Sequence, residues 1–294
     1  MDFLREDLLM TQSVFETEIF SRSLSLKNAG VRISCDRLAL PKIEWLLPSG
    51  ELLWASDDAD SFRRLHFLSL RSSGLFKNPE EGISLLEHLA PVFLLYPQMR
   101  FKVQALSGEL PLLDGSAYPW YEAVRSLAGI PQELAFYDVP LRERLEFENG
   151  FWEISPSETL EVEYSISHSA FSDSAYCAIY DAEDLVKIFP ARTFIFEEDL
   201  VKAQVAGLLS GVDAHSGLLL SERNGEACAL VGAPFRQKNE PAMHKILDLI
   251  GDLSLPLPFL PKLKIRIHNG GHIAHRKLLE RLLDYAFGNS SQVE

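Results

Sequence analysis

The sequence predicts an α+β fold, because helix and strand signals alternate irregularly and no internal repeat of fixed period is visible. Alternating apolar and polar residues over 160–166 predict a strand with one buried face. Apolar residues at helical spacing over 272–287 predict an amphipathic helix, which Gly288 is placed to end. The 294 residues and the apolar fraction of 47% allow a substantial core in one large domain or two ordinary ones.

The N-terminal half contains a strand region followed by a predicted helix. Residues 30–57 have strand character and are interrupted by a Pro-Ser-Gly turn signal. Asn78 as an N-cap and Pro79 at the first helical position predict a helix that starts there. Alternation over 101–105 predicts another strand, and a further helix is expected over 120–127.

The C-terminal half repeats this plan of strands with helices against them. Helices are predicted over residues 198–209 and 239–253, and alternation predicts a strand over 263–267. A connector with two prolines separates the halves. We therefore expect two similar α+β domains, over residues 1–130 and 142–294.

The charge balance excludes some classes of partner. Acidic residues number 42 and basic residues 28, so the formal net charge is −14, which argues against nucleic acid or an anionic membrane as the main partner.

No signal peptide is visible, and the longest apolar run, residues 89–96, is far shorter than the roughly 18 residues of a membrane helix. The three cysteines, Cys35, Cys177 and Cys228, fit reduced thiols. We therefore expect a cytoplasmic protein without a transmembrane segment.

Five residues are candidates for chemistry. His244 and Asp248 are spaced i, i+4 on a predicted helix, so both side chains could reach one ion. Glu87 and His88 are adjacent on the other predicted helix, so one could bind a metal while its neighbour acts as a base. His272 follows two glycines at a helix start, which is an open position for a ligand. Each also has an ordinary structural explanation, namely a surface ion pair, a partly buried histidine beside a solvated glutamate, and a helix cap.

Five short segments connect these candidates in one order over roughly residues 84–286. They are Glu87-His88-Leu89, residues 108–117 (Gly-Glu-Leu-Pro-Leu-Leu-Asp-Gly-Ser-Ala), Ala191-Arg192-Thr193-Phe194, His244-Lys245-Ile246-Leu247-Asp248 with Gly251-Asp252-Leu253, and Gly271-His272 with Lys277-Leu278-Leu279. In this order the segments resemble the zinc-dependent UDP-3-O-acyl-N-acetylglucosamine deacetylases of lipid A biosynthesis (LpxC family). The resemblance covers about two thirds of the chain.

The resemblance implies zinc-dependent hydrolysis of the 2-acetamido group of an acylated UDP-sugar, giving a free amine and acetate. His88, His244 and Asp248 match the family's zinc ligands, a set of two imidazoles and a carboxylate that suits a catalytic zinc. Fe²⁺ is an alternative metal in its place. Because the ligands come from both halves, the active site is expected at the interface of the two domains.

The resemblance also implies roles for eight further residues. Glu87 matches the general base, and His272 matches the residue that stabilises the oxyanion and protonates the leaving amine. The other matches are Asp252, which orients this histidine; Thr193, whose hydroxyl stabilises the tetrahedral intermediate; Lys245, a positive residue near the substrate; and Phe194, His168 and Asn269, which border the substrate.

Other parts of the sequence depart from the family. The difference extends over residues 1–80, where 17–30 lack the histidine and most of the glycines of the family's loop, and Asn269 replaces a lysine that many members have near the phosphates. An insert is expected near residues 194–231. Two other functions therefore stay open: a deacetylase of a different acetamido or nucleotide sugar, and a non-catalytic binding protein with this fold. The remaining histidines are interpreted as structural or exposed, and the sequence predicts no oligomeric state; these histidines are His66, His215, His268 and His275.

Overall fold

The structure is a computed structural model that describes residues 14–65, 72–169, 171–206, 208–223, 226–231, 234–256 and 258–287. The predicted helix end at Gly288 and the interpretation of His66 lie outside these residues. None of the helices in this part of the chain combines the length and the apolar composition that crossing a membrane requires. The architecture is α+β, as the sequence predicts.

The N-terminal half forms a five-stranded sheet and a separate hairpin. Its strands are β1 (Val14–Ser21), β2 (Ala29–Asp36), β3 (Lys42–Leu46), β4 (Leu52–Ala55), β5 (Gly74–Asn78), β6 (Glu81–Ser84) and β7 (Arg100–Ala105), and its helices are α1 (Ala59–Arg64), α2 (Ala90–Phe93) and α3 (Tyr118–Ala128). The sheet has the order β1-β2-β7-β3-β4. Buried Ile33 and Val103 are register partners in its centre, and α3 covers the sheet with buried Trp120 and Val124. Alternation therefore predicts β7 correctly, because one face of this sheet is buried.

The helix expected at Pro79 is wrong, because β5 and β6 form an antiparallel hairpin there. The Asn78 side chain accepts a hydrogen bond from the Glu80 backbone N–H (3.0 Å), which is a turn arrangement rather than a helix cap. Leu75 and Ile83 pair across the hairpin and are fully buried. Glu87 and His88 consequently lie in the loop after β6, not on a helix.

The C-terminal half forms a second, larger sheet. Its strands are β8 (Phe136–Asp138), β9 (Glu143–Phe147), β10 (Gly150–Pro156), β11 (Leu160–His168), β12 (Phe171–Ile179), β13 (Phe194–Phe196), β14 (Leu218–Arg223), β15 (Glu226–Val231) and β16 (Leu260–His268), and its helices are α4 (Ala182–Val186), α5 (Glu197–Val205), α6 (Glu240–Ser254) and α7 (His272–Phe287). The sheet has the order β12-β11-β16-β10-β9, and β8 pairs with β16. The strands predicted at 160–166 and 263–267 and the helices predicted at 239–253 and 272–287 are confirmed.

A small third sheet, β13-β14-β15, lies within the stretch 194–231 together with α5. The helix expected over 198–209 starts one residue earlier and ends at Val205. Helix α6 contacts β11 and β12 of the second sheet, and it also contacts α2 of the N-terminal half. The loop that carries Glu87 and His88 leads directly into α2, so it is brought against α6.

Candidate active site

Helix α6 arranges three of the candidate residues along one buried side. His244, Asp248 and Asp252 are spaced four residues apart, so they lie on the same helix face, and all three are buried. The loop after β6 places Glu87 and His88, also buried, against this face. The surface ion pair that i, i+4 spacing usually indicates is therefore excluded here.

His88, His244 and Asp248 converge on one point. Nε2 of His244 lies 3.2 Å from Oδ1 of Asp248, Nε2 of His88 lies 3.6 Å from the same oxygen, and the three ligand atoms lie within 4.8 Å of one another. A tetrahedron with bonds of about 2.0–2.1 Å around zinc has edges of about 3.4 Å, close to both separations. The two halves of the chain thus build one candidate metal centre.

The donor atoms of this centre are free for a cation. Nδ1 of His244 donates to the Ala191 carbonyl oxygen (3.1 Å), which leaves Nε2 as the ligand atom. Oδ1 of Asp248 is buried and accepts no hydrogen bond from the described residues. A buried carboxylate oxygen without a donor is costly unless a cation binds it. The residues present therefore fit a divalent metal ion.

The charge states of the ligands suit this role. Burial lowers the pKa of His244 to about 3, so its imidazole is neutral and can bind a metal at neutral pH. Burial alone would raise the pKa of Asp248, but the neighbouring His244 and Lys245 hold it well below its usual range. Lys245 donates to Oδ2 of Asp248 (2.9 Å), and its Nζ lies 5.5 Å from the centre of the Phe194 ring. The carboxylate is thus ionised, and its other oxygen is the one that faces the histidines.

Asp252 lies one turn further along α6 and binds two histidines. Its Oδ2 accepts hydrogen bonds from Nδ1 of His272 (2.8 Å) and from Nδ1 of His275 (2.7 Å), and its Oδ1 accepts one from the Ser73 hydroxyl. Asp252, His272 and His275 are close enough to form a second group of metal ligands. However, Nδ1 of His272 and Nδ1 of His275 already donate to Oδ2 of Asp252. These three side chains therefore satisfy one another through hydrogen bonds. We interpret it as a proton-transfer group rather than a metal centre.

His272 is held in its charged form. Burial disfavours the imidazolium, but the Asp252 carboxylate, through its charge and its hydrogen bond, and the Glu87 carboxyl raise the pKa of His272 to about 9. Asp252 itself loses solvation by burial, yet the two histidines hold its pKa below the usual range. His272 is therefore a protonated acid at neutral pH, with Nε2–H available because Nδ1–H binds Asp252.

Glu87 lies between the metal centre and this acid. Its Oε2 accepts a hydrogen bond from the Ser73 backbone N–H (2.9 Å), and its Oε1 lies 3.9 Å from Nε2 of His272. Burial raises the pKa of Glu87. A carboxyl with a raised pKa, next to a candidate metal centre and facing a charged histidine, has the properties of a general base.

A model of the UDP-3-O-acyl N-acetylglycosamine deacetylase (LpxC) family matches residues 65–284, about three quarters of the chain. The chain belongs to this family. The matched range contains every candidate metal ligand and catalytic residue, so LpxC membership and the geometry of the site refer to the same part of the molecule.

Several curated LpxC proteins are similar to this chain, and each is named UDP-3-O-acyl-N-acetylglucosamine deacetylase. The protein from Thermosynechococcus vestitus is 31% identical over 177 residues, 59% of this chain and 60% of the relative. The protein from Aquifex aeolicus is 30% identical over 203 residues, 69% of this chain and 70% of the relative. The protein from Synechocystis is 28% identical over 213 residues, 70% of this chain and 75% of the relative. The chain thus spans about three fifths of the length of the first of these relatives and more of the other two.

The segment that carries Thr193 is fixed beside the metal centre of this LpxC-family protein. The Arg192 guanidinium forms a buried ion pair with Glu240 (2.8 Å), the residue at the start of α6. The Thr193 backbone N–H donates to the Gly115 carbonyl oxygen (2.6 Å), and the preceding Ala191 carbonyl binds His244. Gly115 has a φ of +80°, and a Cβ there would lie 2.7 Å from Cγ2 of Thr193, so only glycine permits this approach.

The three residues that the resemblance places next to the substrate, Phe194, His168 and Asn269, line one cavity. Its volume of 590 Å³ is typical of small-molecule sites. His168 stacks on Phe196 with ring centres 4.1 Å apart, and its Nε2 donates to Asp199 (3.0 Å). Phe194 lies on the wall nearest the metal centre, with its ring centre 6.4 Å from that of His244. Both polar groups of the Asn269 side chain are hydrogen-bonded to the backbone. Its Oδ1 accepts from the Ser167 N–H (2.6 Å), and its Nδ2 donates to the Asn149 carbonyl oxygen (3.1 Å). The asparagine therefore shapes the wall of the cavity.

Two residues of the LpxC-type site were not found from the sequence. His275, interpreted as structural or exposed, is fully buried and binds Asp252, and its Nε2 accepts a hydrogen bond from the Tyr164 hydroxyl (3.0 Å). Its i, i+3 spacing from His272 on α7 was an available signal. Ser73 lies in a loop that precedes the unpredicted hairpin, and no sequence pattern points to it.

Gly251 lies where α6 touches the backbone of Glu87. A Cβ on Gly251 would overlap the Glu87 carbonyl oxygen and lie 2.8 Å from its carbonyl carbon. Gly251→Ala should therefore push the loop with Glu87 and His88 off the helix and lower the free energy of unfolding by about 1–3 kcal/mol, measured by urea denaturation. Gly271→Ala is the control, because a Cβ there meets nothing within 4 Å. Equal stabilities of the two variants would contradict this contact.

Proposed function

We propose that this protein is a metal-dependent amidohydrolase that removes the acetyl group from the 2-acetamido group of UDP-3-O-acyl-N-acetylglucosamine, giving a free amine and acetate. This reaction would place it in lipid A biosynthesis. The observation that carries the proposal is the buried His88–His244–Asp248 triad, with the Glu87 carboxyl and the Asp252–His272 pair beside it. The names of the family and of its curated relatives support the substrate class.

We propose zinc as the metal, with Fe²⁺ as the alternative, held by His88, His244 and Asp248. Two imidazoles and one carboxylate form a ligand set common in catalytic zinc sites, and they leave room for further ligands. When bound, the metal supplies the Lewis acidity that an unreactive amide needs and makes water a better nucleophile near neutral pH.

The residues of the chain perform the proton transfers in this proposal. The Glu87 carboxylate takes a proton from the attacking water as the water oxygen bonds to the acetyl carbon. Nε2–H of His272 then protonates the sugar nitrogen as the carbon–nitrogen bond breaks, so the amine leaves uncharged. Asp252 keeps His272 charged and orients its ring. The His272 imidazolium and the Thr193 hydroxyl favour the negative charge that develops on the acetyl oxygen, and the Lys245 ammonium adds a positive charge near the substrate.

The cavity beside Phe194 is our candidate for the nucleotide part of the substrate. His168, Asn269 and Phe194 lie on its walls, and the ring centre of Phe194 lies 6.4 Å from that of the candidate metal ligand His244. Its lining contains the carboxyl of Asp199 and, within the described part of the chain, no lysine or arginine. This lining supports a second candidate function, deacetylation of an acetamido sugar that carries less negative charge than a UDP-sugar.

We further propose domains over residues 1–130 and 142–294, with the small sheet near 194–231 as an insert in the second, and a cytoplasmic location. The strands of the first sheet all precede residue 106, and those of the second sheet follow residue 135, which supports this division. Preferential proteolytic cleavage within residues 131–141 and recovery of the protein in the cytosolic fraction would test these proposals.

An acetate-release assay tests the proposed reaction. The purified chain, loaded with zinc, should release acetate from UDP-3-O-acyl-N-acetylglucosamine, and a panel of other acetamido sugars tests the second candidate. Turnover of another amide without turnover of the acylated UDP-sugar would favour the second candidate. Binding of a nucleotide sugar without hydrolysis of any substrate would instead support a non-catalytic protein.

The charged state of His272 predicts a pH dependence. Because its pKa of about 9 lies above the ordinary value of 6.5, the acid is protonated at neutral pH and loses its proton as pH rises through about 9. We expect kcat/KM to fall above that pH, and Asp252→Asn should move the fall to lower pH by removing the main charge that raises this pKa. Rates measured from about pH 6 to about pH 10 test this expectation. Asp284→Asn, an exposed change on α7, should keep the parent profile, and a flat profile in the parent would contradict the role of His272.

A further inference from the structure

Ser73 touches both halves of the proton-transfer machinery. Its backbone N–H donates to Oε2 of Glu87 (2.9 Å), and its hydroxyl donates to Oδ1 of Asp252. Among the described residues, no other is hydrogen-bonded to both carboxylates. Ser73 is 1% exposed, so no solvent replaces these bonds. It lies directly before the hairpin, 14 positions from Glu87 and 179 positions from Asp252.

The hydroxyl of Ser73 completes the orientation of Asp252. Both histidines, His272 and His275, donate to the same oxygen, Oδ2. The terminal torsion of an aspartate is broad, so two donors on one oxygen fix the plane of the carboxylate poorly. The donor on Oδ1 is the third point that holds the plane. Without the Ser73 hydroxyl, the buried Oδ1 of Asp252 would lose its hydrogen-bond donor.

The backbone N–H of Ser73 likewise orients the Glu87 carboxylate. The bond to Oε2 fixes this oxygen and leaves Oε1, which is 3.9 Å from Nε2 of His272, for the attacking water. Ser73 therefore fixes the position of the base Glu87 relative to Asp252, the carboxylate that binds His272. Errors of about 1 Å in such positions cost up to about 10²-fold in rate.

We propose that Ser73 is a positioning residue that couples the general base Glu87 to the Asp252–His272 acid pair. This inference rests on the proposed function, since it assigns the two groups their roles in one reaction. The Ser73 hydroxyl donates to the Asp252 carboxylate and lies 3.4 Å from Nδ1 of His272, so it acts through these two side chains. Its loss should impair the chemical step without affecting the metal ligands.

The first test compares Ser73→Ala with the zinc-loaded parent enzyme. We expect kcat to fall about 10–100-fold, KM to change less than about twofold, and zinc content to match the parent. The melting temperature should fall by only a few degrees, because one buried hydrogen bond is lost. Ser73→Thr, which restores a hydroxyl, should recover most of kcat. Ser84→Ala is the matched control, because Ser84 is also a buried serine, but within the described part of the chain its hydroxyl is hydrogen-bonded to the Gly108 carbonyl alone (3.4 Å).

The second test does not depend on activity. The Nδ1 protons of His272 and His275 are hydrogen-bonded and buried, so they should give slowly exchanging imidazole N–H signals in nuclear magnetic resonance spectra of the metal-free protein. His272→Gln and His275→Gln assign the two signals. Ser73→Ala should shift or broaden both signals, whereas Ser84→Ala should leave them in place.

The outcomes separate this inference from the proposed function. Wild-type protein without turnover of any acetamido sugar contradicts the function, whereas an active wild type with parent kcat in Ser73→Ala overturns only the positioning role. A fall in kcat matched by loss of zinc or by an equal fall in the control also overturns it. Unchanged His272 and His275 signals in Ser73→Ala overturn the structural basis, whether or not the protein is active.

Discussion

Glu87→Ala should lower kcat by about 10²–10⁴-fold, the usual contribution of a general base, while about one zinc per chain remains bound. The carboxylate is not one of the three converging ligands, because its oxygens bind the Ser73 N–H and face His272. Removing it therefore takes away the proton acceptor and leaves the metal site intact. KM should change much less than kcat, since the group acts in the chemical step.

Steady-state kinetics and metal analysis on the same protein preparation measure this effect. Glu87→Gln keeps the shape of the side chain but cannot accept the proton, so it should be as inactive as Glu87→Ala. Glu80→Gln, in the exposed turn of the hairpin, is the matched control and should keep the parent rate. A Glu87→Ala variant that worked at full rate would exclude Glu87 as the base.

His244→Ala should abolish zinc binding and reduce the rate by at least about 10³-fold, which corresponds to the loss of about 4 kcal/mol of transition-state stabilisation. The His244 ring is buried, and its Nδ1 donates to the Ala191 carbonyl oxygen, so Nε2 is the nitrogen that faces Asp248, at 3.2 Å from Oδ1. Without this imidazole only two ligands remain, from opposite halves of the chain. Two ligands bind zinc far more weakly than three.

Asp248→Asn is a second route to the same result, since it keeps the volume of the side chain and removes its charge. Zinc content after dialysis should fall from about one per chain to near zero in both variants. His215→Ala, at an exposed histidine, should keep both metal and activity. A His244→Ala variant that retained stoichiometric zinc and the parent rate would show that the metal lies elsewhere.

The elements with strong local patterns were predictable from the sequence. Helix α6, strand β11 and strand β16 have apolar periods that match one buried face, and their predicted ranges are confirmed. The hairpin β5-β6 was not predictable in this way. Asn78 and Pro79 suit a turn as well as a helix start, and the choice depends on the pairing of Leu75 with Ile83, which apolar spacing alone does not reveal.

Some features of the candidate site were likewise predictable from the sequence, and others were not. The spacing of His244 and Asp248 on a helix was visible in the sequence, and the family resemblance added the other expected ligands and the catalytic residues. The place of Glu87 and His88 against α6, the bond between Ser73 and Asp252, and the burial of His275 were not visible. The hydrogen bond between Ser73 and Asp252 joins residues 179 positions apart.

Local patterns in the sequence were enough to indicate the α+β class and the helix that aligns His244, Asp248 and Asp252. The convergence of these side chains with Glu87 and His88, and the contacts of Ser73 and His275 with Asp252, became visible only in the folded chain. Apolar periodicity and helix capping act within a few residues along the chain. Burial, hydrogen-bond partners and pKa shifts depend instead on side chains that folding brings together from distant segments.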